Sequence, residues 1–328
     1  MLTIDEIMLS AYNIKVLKLK KFQVGAASDT YLIESETDKY ILKHPCKNEI
    51  NNPELEIQLC KFLLDNGIPV SEFVKNNNAS YLTYIDGKTY HLQKYIEGIN
   101  FGLNEAPEWL MRESAGVLGR IHNILADYPR LPVGIGEEFF LNMTPQRAIE
   151  SYHNTMIIAE NYGDIQTIEE LRFRIELMKN FPYQAIQINE LSCGNTHGDY
   201  FISQIIAKNN QIAGVIDWTT ACVHPYVWEI FRSFVYAEPA CKDGEIPIDK
   251  LISYVKEYLK YHKLKKIDIE MMPIVYYYQI AVCDYYAQYY YSNADNRDIF
   301  MNQARFSTKI MKWLSDNMQR LQEALKSI

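Results

Sequence analysis

The spacing of apolar residues divides the chain into two parts. Up to residue 98, apolar and polar positions alternate over short runs, which is typical of β-strands. The predicted strands are residues 15–24, 30–35, 39–44, 80–85 and 88–96. Asp86-Gly87 separates the last two and is a strong hairpin signal. One helical pattern interrupts the strands, with Pro53 suited to its first turn and Gly67 suited to its end.

Beyond residue 98 the apolar positions recur at helical spacing. The predicted helices are residues 107–126, two within 144–180, 248–264, 272–292 and 297–326. We therefore expect an α+β fold in which residues 1–98 form an antiparallel sheet with one helix and residues 99–328 form a larger, mainly helical lobe. Ligands tend to bind in the cleft between such lobes.

Composition restricts the classes of function. Of the 328 residues, 48% are hydrophobic and 23% are charged, which excludes a mainly disordered chain. The formal net charge of −8 argues against nucleic-acid binding. No apolar run is long enough to span a membrane, and the N-terminal "MLTIDEIML" is acidic where a signal peptide is basic, so we expect a cytoplasmic protein with no membrane contact. The cysteines are scattered singly, which argues against a zinc site or a disulfide framework.

Residues 195–218, "NTHGDYFISQIIAKNNQIAGVIDW", interrupt the helices with a strand–loop–strand pattern. Asp199 lies in the loop, where a carboxylate can accept a hydroxyl proton or orient the hydroxyl for attack. Gln204 offers an amide oxygen, which is a suitable ligand for Mg²⁺. Asp217 ends the apolar run "IAGVI", where it could bridge Mg²⁺ to phosphates. We assign His197 to bracing the loop by hydrogen bonds.

Two features of the first part could serve a nucleotide. Lys43 ends a predicted strand, and Glu56 lies on the apolar face of the following helix, whereas Glu54 lies on its polar face. A buried carboxylate needs a partner, so we expect Glu56 to hold Lys43. The small-residue turn "QVGAASDTY" contains Gly25 and Ser28 and could let backbone N–H groups approach a phosphate, although such a turn is more often only a turn.

These motifs resemble the aminoglycoside phosphotransferase and choline kinase superfamily, whose members are relatives of protein kinases. The resemblance rests on "HGDYFISQ", "GVIDW", "YILK" and "HLQKYIEG". It implies a protein-kinase-like bilobal fold. It also implies that Lys43 contacts the α- and β-phosphates of ATP or GTP, that Glu56 holds Lys43, that Asp199 is the catalytic aspartate and that Asp217 is the principal Mg²⁺ ligand.

By the same resemblance, the segment from Gln93 to Tyr95 runs along the adenine. Two departures from the family pattern stand out. Gln204 replaces the usual Asn as the second metal ligand, which adds a methylene but keeps the amide oxygen. The nucleotide loop carries Ala-Ala-Ser-Asp instead of paired glycines and Asn.

The C-terminal third holds the candidates for contact with an acceptor. Residues 276–291 contain eight tyrosines, which form either a structural ridge or a substrate wall with Asp284 as a charged anchor. Trp218 is a further candidate for substrate contact. We interpret Trp228 as a core residue and Glu229 as a brace for the catalytic loop.

The leading hypothesis is an ATP- and Mg²⁺-dependent phosphotransferase that phosphorylates a hydroxyl of a small molecule. The acceptor is either an aminoglycoside-like antibiotic or a metabolite such as choline, homoserine or a sugar, and the net negative charge favours a cationic one. The alternative is a catalytically degenerate kinase-fold protein with a nucleotide-binding or coat-like structural role, which Gln204 keeps open. The sequence leaves the acceptor and the oligomeric state open.

Overall fold

The computed structural model describes residues 2–22, 28–45, 53–182, 186–292 and 297–328. The strands are β1 (Lys18–Phe22), β2 (Ser28–Glu34), β3 (Lys39–Pro45), β4 (Phe73–Val74), β5 (Leu82–Ile85), β6 (Lys88–Lys94), β7 (Cys193–Thr196), β8 (Ile205–Lys208), β9 (Gln211–Val215) and β10 (Cys222–Pro225). The helices are α1 (Ile4–Tyr12), α2 (Pro53–Asp65), α3 (Glu108–Leu125), α4 (Glu137–Asn142), α5 (Pro145–Tyr162), α6 (Ile165–Lys179), α7 (Tyr226–Ala237), α8 (Ile248–Tyr258), α9 (Lys266–Val282), α10 (Tyr285–Tyr291) and α11 (Asp298–Leu325).

The N-terminal strands form the antiparallel sheet that the sequence predicts. The order is β1-β2-β3-β6-β4, and β5 pairs with β6. Asp86 and Gly87 have φ values of 52° and 75° in the turn between β5 and β6, which is the backbone that a tight hairpin requires. Strand β3 lies in the middle of the sheet and places Lys43 opposite His91 of β6.

Helix α2 begins and ends where its sequence signals predict. Pro53 is its first residue, and Gly67 has a φ of 79° just beyond its end. The short helix α1 adds a second helix to this lobe that the apolar pattern did not predict. Met8 and Tyr12 of α1 pack in a small core with Leu42 of the sheet.

The C-terminal part is mainly helical, as predicted. The predicted helix over 272–292 is two helices, α9 and α10, because the chain turns at Asp284, whose carboxylate caps α10 by accepting from the N–H of Ala287 at 2.9 Å. Helix α7 was not predicted, although its polar residues Glu229, Arg232 and Ser233 recur at helical spacing in an otherwise apolar segment. Among the described residues, no helix is long and apolar enough to cross a membrane.

The C-terminal part also contains two short antiparallel pairs, β7-β10 and β8-β9. Val215 of β9 bridges to Val70, just after α2, and Ala207 of β8 bridges to Ile99. The bridge to Val70 joins the segment 195–218 to the N-terminal lobe, and the bridge to Ile99 joins it to the chain just beyond that lobe. The predicted domain boundary after residue 98 falls between β6 and α3 and stays a prediction.

Candidate active site

The hairpin of β8 and β9 brings Gln204 and Asp217 together. The N–H of Ile216 donates to the backbone oxygen of Gln204 at 2.9 Å, and Ile205 pairs with Val215. Because the two strands run antiparallel, the residue before β8 and the residue just beyond β9 lie at the same end of the hairpin. The spacing between Asp199 and Asp217 is therefore taken up by a loop and a hairpin, as the sequence predicts.

Asp217 forms an ion pair with Lys43. Their Oδ1 and Nζ atoms are 2.7 Å apart, and the side chain of Lys43 is 9% exposed while that of Asp217 is 41% exposed. Burial opposes ionisation of Asp217, but the charge and hydrogen bond of Lys43 outweigh it and lower the pKa of Asp217. Its φ of 64° lies in the left-handed region, which an aspartate adopts more readily than most residues. The lysine and the carboxylate of the two predicted motifs thus meet across the lobes.

Glu56 lies on the buried face of α2, as its helical phase predicts, and Glu54 is exposed. Only 2% of Glu56 is exposed, and its Oε2 lies 3.5 Å from Nε2 of His91. Burial raises the pKa of Glu56, while the charge of Lys43 acts in the opposite direction. Among the described residues, Lys43 forms an ion pair with Asp217, and the charge of Lys43 acts on Glu56. The expected direct pair between Glu56 and Lys43 stays a prediction.

Glu229 of α7 holds the catalytic loop by two backbone hydrogen bonds. Its carboxylate accepts from the N–H of His197 at 3.2 Å and from the N–H of Gly198 at 2.6 Å. Its Oε2 also lies 2.8 Å from Nε2 of His122, which the sequence analysis left without a role. The bracing role predicted for Glu229 is confirmed.

His197 links the loop to the end of the hairpin. Its Nε2 lies 2.9 Å from the backbone oxygen of Ile216, and its Nδ1 accepts from the N–H of Asp199 at 3.2 Å. Gly198 has a φ of 80°, and a Cβ there would lie 2.1 Å from the backbone oxygen of Thr220, so only glycine fits. The loop that carries Asp199 is therefore fixed from both sides, as predicted for His197.

Arg232 of α7 is the main site residue that the sequence analysis missed. Its Nη2 donates to Oδ1 of Asp199 at 2.8 Å. Its guanidinium carbon lies 3.8 Å from the ring centre of Phe201 and 5.0 Å from that of Trp228. The signal that could have indicated it is its position three residues after Glu229, which places both on one side of a helix. Oδ2 of Asp199 accepts no hydrogen bond from the described residues.

The donor set around Asp217 fits Mg²⁺. Gln204 is partly exposed, and its side-chain amide makes no hydrogen bond within the described ranges, so its oxygen is available. The described residues hold no cluster of three or more His, Cys, Asp or Glu side chains that could bind a metal. Mg²⁺ does not need such a cluster, since it binds through one or two carboxylates together with substrate phosphates.

The remaining predictions for nucleotide binding concern two regions: the segment from Gln93 to Tyr95 and the turn that contains Gly25 and Ser28. Gln93 is buried in β6 between Ile41 and Phe73, and the N–H of Tyr95 donates to Lys39. Their contact with adenine stays a prediction. Gly25 and the side chain of Ser28 lie outside the described residues.

The structure does not support the predicted acceptor contacts of Trp218 and Asp284. Trp218 is 1% exposed and lies against His197 with 4.4 Å between ring centres, so it braces the loop from the core. Both oxygens of Asp284 are used, one by Ser151 and the other by the N–H of Ala287. An aspartate that caps a helix in this way is not a free anchor for a ligand.

Several of the eight tyrosines are core residues, as the structural interpretation predicts. The buried ones are Tyr276, Tyr277, Tyr278 and Tyr286. Trp228 is also buried, as predicted, and its Nε1 donates to Oε1 of Gln279 at 3.2 Å.

Comparison with known proteins decides the family. Residues 18–247 match the family described as "Phosphotransferase enzyme family" (APH). The chain belongs to this family. Among curated members with a similar sequence is the homoserine kinase of Zymomonas mobilis subsp. mobilis, which is 22% identical over 220 residues. That match covers 66% of this chain and 63% of the relative, so the chain spans less than two thirds of the length of that phosphotransferase.

Solved structures confirm the bilobal kinase-like fold of this phosphotransferase family member. Spectinomycin phosphotransferase in complex with ADP and spectinomycin superposes with a TM-score of 0.63 at 14% identity, over 99% of this chain and 98% of that one. Amicoumacin kinase hAmiN in complex with AMP-PNP, Ca²⁺ and Ami also gives a TM-score of 0.63 at 14% identity, over 93% of this chain and 91% of that one.

Proposed function

We propose that the protein transfers the γ-phosphoryl group of ATP or GTP to a hydroxyl of a small molecule. The observation that carries this proposal is the arrangement of four residues at the junction of the lobes. Gln204 and Asp217 flank the β8-β9 hairpin, and Asp217 pairs with Lys43 of the N-terminal lobe. The adjoining loop holds Asp199. A lysine, a metal-binding carboxylate and a carboxylate for the acceptor are the groups that phosphoryl transfer requires.

In this proposal, Asp199 receives the acceptor hydroxyl on its free Oδ2 while Arg232 holds its Oδ1. A carboxylate in that position orients the hydroxyl and takes its proton as the bond to phosphorus forms. Lys43 pairs with phosphate oxygens, and the negative charge of the buried Glu56 favours the charged lysine. Most of the catalysis is then positioning and charge neutralisation.

Asp217 and Gln204 would hold Mg²⁺ in this proposal. The metal, when bound, neutralises charge on the phosphates. Asp217 suits this role because its pKa is lowered, so it stays ionised at neutral pH, and because its side chain reaches solvent. The cytoplasmic location expected from the sequence forms part of the same proposal, since ATP is the cosubstrate.

Substitution of Gln204 tests the proposal against the degenerate-kinase alternative. Gln204→Leu keeps most of the volume but removes the amide oxygen, so we expect a sharp fall in turnover and a higher Mg²⁺ requirement. Gln204→Asn keeps the oxygen but shortens its reach, and we expect no gain in rate. The measurement is transfer of labelled phosphate to a hydroxyl acceptor over a Mg²⁺ series.

Two outcomes of this experiment would contradict the assignments. Turnover of Gln204→Leu at the wild-type rate would exclude this residue as a metal ligand. Transfer by Gln204→Asn combined with no transfer by wild type to any acceptor would favour a protein that binds nucleotide without turnover.

A further inference from the structure

Arg232 has hydrogen-bonding capacity that the protein does not use. A guanidinium carries five N–H donors. Nη2 donates to Asp199, whereas Nε and Nη1 donate to no group within the described ranges. The side chain is 16% exposed, and neither Nε nor Nη1 is among the described buried atoms that lack a hydrogen-bond partner, so both donors reach solvent. Charged donors that reach solvent and bond to no protein group can bind an anion, so the unused edge is available to a ligand.

Aromatic rings fix the orientation of this guanidinium. Its carbon lies 3.8 Å from the ring centre of Phe201, 5.0 Å from that of Trp228 and 5.6 Å from that of Tyr236. Rings stacked on a guanidinium cover its faces and leave the donors to project from the edge. The unused edge is therefore held in a set direction beside the carboxylate that is proposed to receive the acceptor hydroxyl.

Arg232 contacts the carboxylate that is proposed to receive the acceptor hydroxyl. The groups that act on its charge are Asp199 and the hydroxyls of two tyrosines, Tyr236 and Tyr285. The lysine and aspartate of the phosphate side pair with each other instead. Asp199 is the carboxylate paired with Arg232, and the guanidinium is shared by no second acid among the described residues.

We propose that the free edge of Arg232 binds a carboxylate of the acceptor, so that the substrate is a small hydroxy acid, which includes hydroxylated amino acids. A carboxylate matches the planar fork of the guanidinium and can accept two parallel hydrogen bonds from it. This inference rests on the proposed function and names its substrate class. It differs from the expectation of a cationic acceptor, because the group beside Asp199 is a cation although the net charge of the chain is negative.

Acceptors that differ only in the carboxylate test this inference on the unaltered protein. Two such pairs are L-homoserine with 3-aminopropan-1-ol, and 4-hydroxybutanoate with butan-1-ol. We expect kcat/KM to be at least about tenfold higher for the carboxylate-bearing member of a pair, as for a hydrogen-bonded charged group. Equal values, or a preference for the members without a carboxylate, would overturn the proposal.

Variants of Arg232 then assign the preference to this side chain. Arg232→Gln should remove the preference within each pair, and Arg232→Lys should retain part of it, because a lysine keeps the charge but not the fork. Arg172→Gln, which changes an exposed arginine of α6, is the matched control. If Arg232→Gln lowers kcat equally for both members and leaves the ratio unchanged, Arg232 acts on Asp199 or on the transferred phosphoryl group, and the proposal is wrong.

A binding measurement separates failure of this inference from failure of the proposed function. If wild type transfers phosphate to no hydroxyl, the proposed function fails, and calorimetric titration of the Mg²⁺-ADP-loaded protein decides the inference. At least about tenfold tighter binding of L-homoserine than of 3-aminopropan-1-ol, lost in Arg232→Gln, would support the carboxylate site. Equal affinities would overturn it.

Discussion

Replacing Glu229 by glutamine tests whether one buried carboxylate holds the catalytic loop. The two oxygens of Glu229 accept the N–H groups of His197 and Gly198, and one of them also contacts His122. Burial opposes ionisation, but the hydrogen bond and charge of His122 outweigh it and lower the pKa of Glu229. The native state therefore uses the ionised form, which glutamine cannot supply.

The size of the effect follows from these contacts. Glutamine replaces one acceptor oxygen by an NH₂ group. The backbone N–H of either His197 or Gly198 then faces this NH₂ group, which is itself a donor, and loses its acceptor. Hydrogen bonds to a charged group contribute about 1.5–3 kcal/mol each, and an unpaired buried donor costs about 1–3 kcal/mol. We therefore expect Glu229→Gln to lower the free energy of unfolding by about 3–5 kcal/mol. We also expect turnover to fall more than tenfold, because the loop carries Asp199.

The assay is urea unfolding followed by tryptophan fluorescence, with phosphate transfer measured on the folded variant. Glu169→Gln, at an exposed position of α6, is the matched control and should change the free energy of unfolding by less than about 0.5 kcal/mol. The reasoning is refuted if Glu229→Gln unfolds at the urea concentration of wild type and turns over at the wild-type rate.

Three further predictions concern Asp217, Glu56 and His224. Asp217→Ala should abolish Mg²⁺-dependent nucleotide binding, measured by titration with and without Mg²⁺, and unchanged metal dependence would exclude Asp217 as a ligand. Glu56→Gln should reduce turnover without loss of stability, because burial raises the pKa of Glu56 and glutamine carries no charge to desolvate. Glu54→Gln, at an exposed position of the same helix, should leave turnover unchanged. Equal effects of the two substitutions on turnover would contradict the predicted helical phase of Glu56. Burial lowers the pKa of His224 to about 4, below its unfolded value, so the free energy of unfolding should fall as the pH falls from about 6.5 to 4. In urea unfolding, His224→Asn should reduce the loss of this free energy between pH 7 and pH 5 by about 2 kcal/mol. An unchanged pH dependence would contradict this assignment.

Local patterns were enough to predict most of the secondary structure. The strands of the sheet, α2 and the long C-terminal helices follow from alternation, helical spacing and turn residues. The helix α1 carried a readable signal in the capping box of Thr3 and Glu6, although its apolar pattern is short. Helix α7 also carried a readable signal, because Glu229, Arg232 and Ser233 recur at helical spacing in an otherwise apolar segment.

The residues of the candidate site that belong to one sequence motif were predictable. Asp199 and Asp217 lie in one local segment, and its loop and hairpin are encoded there. The ion pair of Lys43 with Asp217 was not predictable, because it depends on how the lobes meet and not on the local sequence. Arg232 was missed for the same reason, since its contact with Asp199 joins residues that are distant in the sequence.

Transfer of labelled phosphate from Mg²⁺-ATP to a panel of hydroxyl compounds tests the central claim most directly. The panel combines aminoglycosides, choline and sugars with small hydroxy acids, and Asp199→Asn serves as the comparison. The account predicts transfer by wild type to at least one compound, with turnover reduced more than about 100-fold in Asp199→Asn, in which the base is lost. Transfer at the same rate by both proteins, or Mg²⁺-ATP binding by wild type without transfer to any member of the panel, would contradict it.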